Sequence, residues 1–571
     1  MKRHGMPAKI TTPVLLYQLG IAGLNTQSQD STLGPEYLTE ADGIVFDLQS
    51  RISSRKGIKQ VSKAITSPVK SIGGYIKSNR TREYYAGAGN AIYKIDTSTT
   101  PYTLTAQSFA GSPQTISDGN WQWINFNDEL WGIQSGHQVI NYTSSAWSDI
   151  TDLGTYVGPS GVTTFDPSCA LGDFGRMWYG GITEAPGVVY YSDNLIGEKL
   201  NTGAAGAIDL KTVWGNDEVV GLASLMNKLI IFGKQNIAVY EGASTPGSMA
   251  LDELIKGTGL AGRDNISYVS TDIIFLSYEG LISLGRLSQT DGKAPYQELS
   301  VPVRNDLTRI LSSATIANIK STYYSEEGLV IIFMPDEKKC YVFDLKLTKA
   351  PPKVTTWAFT TAPLCGLGTI DGKLFMGTTT GIAEYSGYKD VVITDTTADL
   401  VQEGALWGDD TSLYGSSKYG ASVSGACSIS GGTWDGSKCW YPTSSNYSYT
   451  FQTSWLDLNS PTISKIIKSG LFTITGGRGA ASTVSVFKDF SIGSPYSKTF
   501  NLAQEGAISL WGDVTTLYGS AKYGASEGPN EYKIALGRTG KVIKLKMVTE
   551  VNGNYSSLNN TTLLTKQGKI R

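Results

Sequence analysis

Residues 228–233 are Lys-Leu-Ile-Ile-Phe-Gly and residues 237–240 are Ile-Ala-Val-Tyr. Both runs are rich in β-branched and aromatic residues, which favour a pleated, half-buried strand. The residues between them, Lys234, Gln235 and Asn236, leave room only for a tight turn. The stretch therefore predicts an antiparallel hairpin.

The same hairpin pattern recurs along the chain from about residue 83 to residue 390, at intervals of roughly forty to fifty residues. Its further copies lie at 83–87 with 91–95, 176–180 with 187–192, 272–276 with 280–284, 328–333 with 340–344, and 373–377 with 381–385, and 130–133 is a single strand of the same kind. This period is typical of propeller blades, and a closed circle of blades protects the sheet edges. We therefore predict an all-β protein with a β-propeller-like domain over residues 61–390; a series of β-sandwiches is the alternative.

The composition agrees with a large, turn-rich β-protein. The chain has 571 residues, with 65 Gly and 31 Tyr, and only 17% of its residues are charged. This length exceeds what one hydrophobic core serves, so roughly two to four domains are expected. Hairpins need Gly in their turns, and pleated faces favour aromatic residues.

The charge balance argues against one class of function, a protein that grips nucleic acid. Lys and Arg total 48 against 50 Asp and Glu, for a net charge of −2. A protein that grips nucleic acid neutralises phosphates with a basic surplus, and this chain has none. The balance is compatible with a surface past which DNA slides.

Three further features set expectations about compartment. The five cysteines are widely spread, and only Cys427 and Cys439 are close enough to suggest a local bridge, so no disulfide framework is expected. The start of the chain has a short apolar run without a small-residue cleavage site, which predicts no signal peptide. No run of about eighteen apolar residues occurs, which predicts no membrane span.

One stretch favours a helix. Residues 304–313 place apolar side chains at positions 307, 310 and 311, the spacing of one helical face. Asn305 is the candidate N-cap.

After residue 390 the amino-acid composition shifts toward Ser, Gly, Thr and Tyr. Residues 447–458, 470–475 and 483–490 predict antiparallel strands, which 541–548 and 560–565 complete. We therefore predict a C-terminal β-sandwich module over residues 391–571, with the N-terminal arm, residues 1–60, as a candidate contributor of further strands.

The C-terminal module contains a near-duplicate, which we call the twin segments. Residues 407–422 and 511–526 match at thirteen of sixteen positions, starting at Trp407 and Trp511. Gly and the aromatic spacing exclude a helix, so both are predicted to be ordered loops. Two readings stay open: a docking surface, or two equivalent hairpin tips of a duplicated fold. The docking reading selects as interface candidates Trp407, Tyr414, Tyr419, Trp511, Tyr518 and Tyr523.

No known catalytic or metal-binding motif is present, and no cofactor is expected. His4 and His137 are the two histidines, and neither belongs to a metal-binding pattern. His137 follows Gly136 and is predicted to be a turn residue.

Carboxylate pairs could also carry catalysis, because a glycosidase needs only two acids about 5 to 10 Å apart. Single acids next to Gly or at strand ends usually cap turns, which is the role predicted for Asp173, Asp193 and Asp272.

Several short sequence segments together resemble the tail nozzle, or tail tubular protein B, family of short-tailed bacteriophages. The first is residues 46–57, Phe-Asp-Leu-Gln-Ser-Arg-Ile-Ser-Ser-Arg-Lys-Gly. The others are 176–180 with 188–193, 219–225 leading into 229–233 and 237–240, 262–266 ahead of 274–277 and 280–284, 455–461 with Lys465 and Lys468, and 567–571.

The resemblance implies a non-enzymatic virion protein of the tail. Such a chain would form a homohexameric ring beneath the tail adaptor ring, carry fibres or tailspikes, and let double-stranded DNA pass without sequence-specific binding. A ring needs two different patches on each subunit, and the N-terminal arm would contact the adaptor. Arg51, Arg55 and Lys56 are the candidates for binding carboxylates of the adaptor or of a neighbouring subunit.

Two other functions remain open on the sequence. One is a virion-borne depolymerase or sialidase-like propeller that acts on or binds surface glycans, although the sialidase turn signature is missing. The other is a receptor-binding or fibre-docking protein in which the twin segments bind the partner directly.

Overall fold

The structure is a computed structural model that describes residues 12–16, 19–143, 146–285, 298–346, 351–359, 361–396, 433–434, 439–458, 462–502 and 529–567. Its architecture is all-β, with a β-propeller and an antiparallel β-sandwich, which confirms the predicted fold class. The first strands of the chain are short: β1 Thr12–Leu16, β2 Gly23–Leu24, β3 Tyr37–Asp42, β4 Ile44–Phe46, β5 Ile52–Ser54 and β6 Ile58–Gln60.

Seven antiparallel sheets form the blades of the propeller in the described part of the chain. Blades one to three are β7 Val69–Ile76, β8 Arg82–Ala88, β9 Ala91–Asp96 and β10 Thr103–Ala106; β11 Gln122–Phe126, β12 Glu129–Ile133, β13 Ile140–Tyr142 and β14 Trp147–Asp149; and β15 Cys169–Asp173, β16 Arg176–Gly180, β17 Val188–Tyr191 and β18 Gly206–Asp209. Blades four and five are β19 Val219–Leu225, β20 Lys228–Gly233, β21 Asn236–Glu241 and β22 Ala250–Lys256; and β23 Ile266–Val269, β24 Asp272–Ser277 and β25 Gly280–Ser283. Blades six and seven are β26 Lys320–Tyr324, β27 Leu329–Met334, β28 Lys339–Asp344 and β29 Lys353–Ala358; and β30 Cys365–Gly368, β31 Leu374–Gly377 and β32 Ile382–Tyr385.

The ring of blades is closed by a strand from the N-terminal arm. β6 pairs antiparallel with β32 of blade seven, with Gln60 opposite Ala383 and Ile58 opposite Tyr385. The first strand of each blade lies innermost, and β30 of blade seven lies against β7 of blade one. Apolar side chains fill the space between neighbouring blades, for example Phe232 and Phe275 between blades four and five.

The second unit is the sandwich, built from both ends of the chain. Its later strands are β33 Asp390–Thr396, β34 Thr433–Trp434, β35 Cys439–Ser445, β36 Tyr447–Thr453, β37 Lys465–Gly476, β38 Ala481–Lys488, β39 Ser491–Asn501, β40 Pro529–Gly540, β41 Ile543–Val551 and β42 Ser556–Gln567. One sheet has the order β3-β36-β41-β38-β39, and the other has β4-β5-β42-β37-β40 with β1 added on β42. Their inner faces share one core that includes Phe451, Ile467, Phe472, Val484 and Leu545.

The two units share sheets. The first sandwich sheet continues through β2 and β3 into β29 of blade six. Blade seven continues through β6 into β33 and β35. The strands of the N-terminal range 1–60 thus pair with both units: β1, β4 and β5 with the sandwich, β6 with the propeller, and β2 and β3 at the junction.

Helices are few and short in the described residues. The predicted helix is confirmed as α2, Arg304–Ser313, whose apolar face is buried; a one-turn helix, α1, spans Lys211–Trp214. The predicted cap at Asn305 is wrong: the N-cap is Val303, because a 3-10 turn leads directly into the helix, and the Asn305 backbone N–H donates to Gln27 Oε1 at 3.2 Å instead. The 3-10 turns are Ile150–Asp152, Pro246–Ser248, Val301–Val303, Ile316–Asn318 and Pro335–Glu337.

Candidate functional site

The innermost strands of all seven blades enclose a cavity of about 700 Å³ on the propeller axis, which we call the funnel. Its wall mixes apolar and polar groups, and the inner strands contribute the apolar residues Trp123, Leu171, Leu222 and Leu367. The funnel opens on the face that carries the turns after the inner strands. Three apolar side chains stand exposed at this opening: Ile76, Tyr268 and Ile370, the last 75% exposed.

Side chains of one blade complete the backbone hydrogen bonds of the next around the funnel. Asn125 Nδ2 donates to the carbonyl of Gly74 at 2.7 Å, and its Oδ1 accepts the N–H of Ile76 at 3.1 Å. Gln122 makes the equivalent pair of bonds to the N–H and carbonyl of Ala170. A side-chain amide has the same donor and acceptor as a peptide group, so these residues replace the missing neighbouring strand and join the blades.

The inner end of the funnel is closed by three charged residues, which we call the plug: Arg263, Asp264 and Lys320. Arg263 Nε and Nη2 both donate to the Asp264 carboxylate, each at 2.9 Å. Lys320 Nζ lies 3.4 Å from Asp264 Oδ2 and donates to the carbonyl of Lys70 at 2.6 Å. Both cations are nearly buried, so the propeller axis is blocked by an ion cluster.

The plug spans several blades, which explains its position. Arg263 Nη1 also donates to the carbonyls of Ile133 and Ser168, at 3.3 and 3.2 Å, so it holds together residues of blades two, three and five. On the far side of the plug lies a second cavity of about 580 Å³, also lined by Arg263 and Asp264. Among the described residues, Arg263 and Asp264 lie between the two cavities and line both of them.

The charge state of the plug follows from its contacts. Burial alone would raise the pKa of Asp264, but the charges of Arg263 and Lys320 outweigh burial and lower that pKa to about 2. The carboxylate is therefore ionised at neutral pH. One anion then faces two cations, which leaves the plug with a net charge of +1.

The structure places the three basic candidates of the N-terminal arm in intramolecular ion pairs. Arg51 Nε donates to Asp47 at 2.6 Å, and Lys56 Nζ lies 2.8 Å from Glu327. Arg55 is 1% exposed and is therefore inaccessible to carboxylates of another molecule in this fold. Its role here is internal.

Arg55 holds the seam between propeller and sandwich. Its two terminal nitrogens each lie 3.3 Å from the Asp390 carboxylate, and its guanidinium lies over the rings of Phe359 and Tyr447 at 4.3 and 4.0 Å. Asp390 also accepts the N–H of Ile58 at 2.9 Å, so the same carboxylate fixes the closing strand β6.

The ion pair between Lys56 and Glu327 is expected to contribute little to the free energy of unfolding. Lys56 and Glu327 both keep partial solvent exposure, and pairs of this kind contribute little because water screens them. Replacing Lys56 by Met is therefore expected to change the free energy of unfolding by less than about 1 kcal/mol. Urea unfolding followed by Trp fluorescence measures this. A loss as large as that of an Arg55 variant would contradict the assignment.

The aromatic interface candidates lie outside the described residues: Trp407, Tyr414, Tyr419, Trp511, Tyr518 and Tyr523. The twin segments belong to the stretches 397–432, between β33 and β34, and 503–528, between β39 and β40. The suggested bridge lies partly there too, because Cys427 is not described. Cys169, Cys340 and Cys365 are buried free thiols.

The residues considered for catalysis have structural roles. His137 lies buried in a turn, with Nδ1 2.7 Å from the carbonyl of Gln138 and an edge contact to Trp121. The capping role of the acids is confirmed: Asp173 accepts the N–H of Phe174, Asp193 those of Asn194 and Ala204, and Asp272 those of Ile273 and Gly285.

The described residues contain neither a metal-binding cluster nor a membrane-spanning helix. No group of three or more His, Cys, Asp or Glu side chains there could hold a metal ion. None of the described helices is long and apolar enough to cross a membrane.

Comparison with known proteins gives similarity of fold alone. No family model matches the chain, and no curated protein matches it. Among solved structures, the Pan2 WD40 domain of Neurospora crassa is 8% identical and aligns over 58% of this chain and 96% of that domain, with a TM-score of 0.36. A streptogramin B lyase is 11% identical over 58% of this chain and 97% of its own, with the same TM-score.

A third similar structure is PorZ, a surface component of the type-IX secretion system of Porphyromonas gingivalis. It is 14% identical and aligns over 58% of this chain, with a TM-score of 0.33. This chain covers 37% of the length of PorZ.

Sequence reasoning missed the plug and the funnel as a site. Arg263 and Asp264 stand directly before an inner strand, in the phrase Gly-Arg-Asp-Asn of residues 262–265. The signal available in the sequence was a pair of adjacent, oppositely charged residues directly before a buried strand. Their partner Lys320 is distant in the chain, so only the circular order of the blades brings it to them.

Proposed function

We propose that this chain is a non-enzymatic structural protein of a virion tail, which forms the tail nozzle as a ring of subunits beneath the adaptor. The resemblance of residues 46–57 and of the repeated strand pairs to the tail nozzle family supports this assignment. In this role the chain is part of a conduit for genome ejection and a platform for fibres.

The observation that carries the proposal is the sharing of sheets between the two units. β2 and β3 run from the sandwich into blade six, and β6 and β33 join blade seven to β35. Hydrogen-bonded sheets resist bending between the units more than a flexible linker does. A ring subunit needs this property, because it must hold two different contact patches at a fixed angle for the ring to close.

The plug limits where a conduit for DNA could lie relative to the propeller. Arg263, Asp264 and Lys320 block the propeller axis, so DNA would pass between several chains and not through one propeller. A net charge of −2 suits such a lumen, because a strongly basic wall would retain the phosphates of the duplex.

Ring assembly is the test of this function. Purified chain mixed with its tail adaptor is expected to form particles of several subunits, with sixfold symmetry in negative-stain images. Mass photometry of the same mixture gives the subunit number. Circular dichroism of the chain alone serves as the folding control. Folded chain that stays monomeric with the adaptor would refute the proposal, as would release of reducing sugar from host polysaccharide.

A further inference from the structure

We propose that the funnel is a binding site for a short, apolar segment of a partner polypeptide, which enters with a carboxylate directed at the plug. The inference goes beyond the nozzle role and does not depend on ring assembly. It concerns one face of one propeller.

The opening of the funnel has the composition of a contact surface. Ile76, Tyr268 and Ile370 are exposed there, and Trp123 and Leu367 line the same cavity. Large apolar side chains on a surface are costly when they form a continuous patch, and such patches usually mark binding sites. The charged residues nearby are paired with one another: Arg82 with Asp371, and Glu83 with Lys77 and Lys94.

The floor of the funnel carries more positive than negative charge. Lys320 is 7% exposed, and its other acceptors, the Lys70 carbonyl and the Asn120 side chain, are neutral. Asp264 is shared with Arg263, and the next carboxylate that acts on Arg263, Asp118, is itself paired with Lys70 at 2.8 Å. One of the two buried positive charges of the plug is therefore in excess. Buried charges are stable when they are paired, so a ligand carboxylate would be attracted to this end.

The wall favours a peptide over an alkyl chain. The carbonyls of Gly74, Ala170 and Gly366 each accept one side-chain hydrogen bond. A carbonyl oxygen has a second lone pair, which a peptide N–H can use. An alkyl chain would remove water from these oxygens without replacing its hydrogen bonds, which is unfavourable.

The size and shape limit the ligand to a chain end or loop tip. A volume of about 700 Å³ is that of a typical ligand pocket, and the plug closes its inner end. The ligand must therefore enter from the open face and stop at Lys320. A free C-terminus preceded by Leu, Ile, Phe or Trp fits this geometry.

The experiment uses the full chain and a mixed hexapeptide library in two forms, one with a free C-terminal carboxylate and one amidated. Peptides retained with the protein on size exclusion are identified by mass spectrometry. Apolar peptides with the free carboxylate are expected to be retained at least tenfold more than their amidated forms. Dodecanoate is tested in parallel as the alkyl carboxylate.

Two variants locate the site. The double variant Ile76→Glu with Ile370→Glu makes the opening of the funnel charged and is expected to reduce the retention of peptides at least tenfold. The matched control is Leu195→Glu with Met226→Glu, which places the same charges on exposed apolar residues of the same face but outside the funnel wall, and is expected to leave retention unchanged. Lys320→Met removes the excess charge and is expected to abolish the preference for the free carboxylate.

Four results would overturn the proposal. They are retention of no peptide, equal retention of amidated peptides, equal retention by the two double variants, and binding of dodecanoate without any peptide. All four can be scored on folded monomer, so they are distinct from a failure of ring assembly.

Discussion

Replacing Asp264 by Asn is expected to lower the free energy of unfolding by about 3 kcal/mol at pH 7, because two buried cations then lose their only counter-charge within the plug. Asn retains an acceptor for Arg263 and nearly the same shape. The loss therefore reports the charge and not a cavity. Urea unfolding followed by Trp fluorescence measures it.

The pH dependence of this effect has a definite sign. Arg263 and Lys320 overcome the effect of burial and lower the pKa of Asp264 from its ordinary 3.8 to about 2. A group with a lowered pKa in the folded state stabilises the fold above its unfolded pKa, and this contribution is lost as the pH falls toward the folded pKa. The difference between wild type and Asp264→Asn should thus be constant from pH 7 to pH 5 and smaller by about 1 kcal/mol at pH 3.

Asp252→Asn is the matched control for the plug variant. Asp252 also pairs with a lysine, Lys228 at 2.6 Å, but both side chains are substantially exposed. Its replacement should cost less than about 1 kcal/mol. Equal losses for the two variants would mean that the plug is no more important than a surface ion pair.

The propeller could be predicted from the sequence because each blade repeats one local signal. Runs such as residues 228–233 and 237–240 combine strand-forming residues with a tight turn, and this pairing is decided within about fifteen residues. The helix at 304–313 is predicted by an equally local pattern. The position of its cap depends on more than this pattern, because a 3-10 turn precedes the helix and the side chain of Gln27 accepts the N–H of Asn305.

The ring closure could not be predicted, because its signal is weak and its partner distant. β6 has only three residues, and its partners β32 and β33 follow more than three hundred residues later. The same holds for Arg55. Its sequence context, a basic pair before Gly57, is typical of a solvated strand edge, whereas the fold surrounds it with Phe359, Asp390 and Tyr447.

The funnel was hidden for another reason. Its wall residues, such as Leu171, Leu222 and Leu367, follow the same alternation as residues that face the neighbouring blade. Periodicity gives the two faces of a strand but does not identify which edge borders the axis. That information exists only once the order of the blades around the ring is known.

Replacing Arg55 by Met is expected to lower the free energy of unfolding by about 4 kcal/mol, because the Asp390 carboxylate is then left largely buried without a cation. The variant also loses the contacts of the guanidinium with the rings of Phe359 and Tyr447. Met fills most of the same volume, so the loss again reports charge more than packing.

The double variant Arg55→Met with Asp390→Asn separates these terms. It removes both charges but keeps an acceptor for the N–H of Ile58, so it should recover a large part of the loss. Hydrogen exchange gives the location: the amides of β6 should exchange faster in Arg55→Met than in wild type, while those of blade four, remote from the seam, should change least. If the double variant is no more stable than Arg55→Met, the unpaired carboxylate is not the cause. If β6 stays protected, Arg55 does not hold the closing strand.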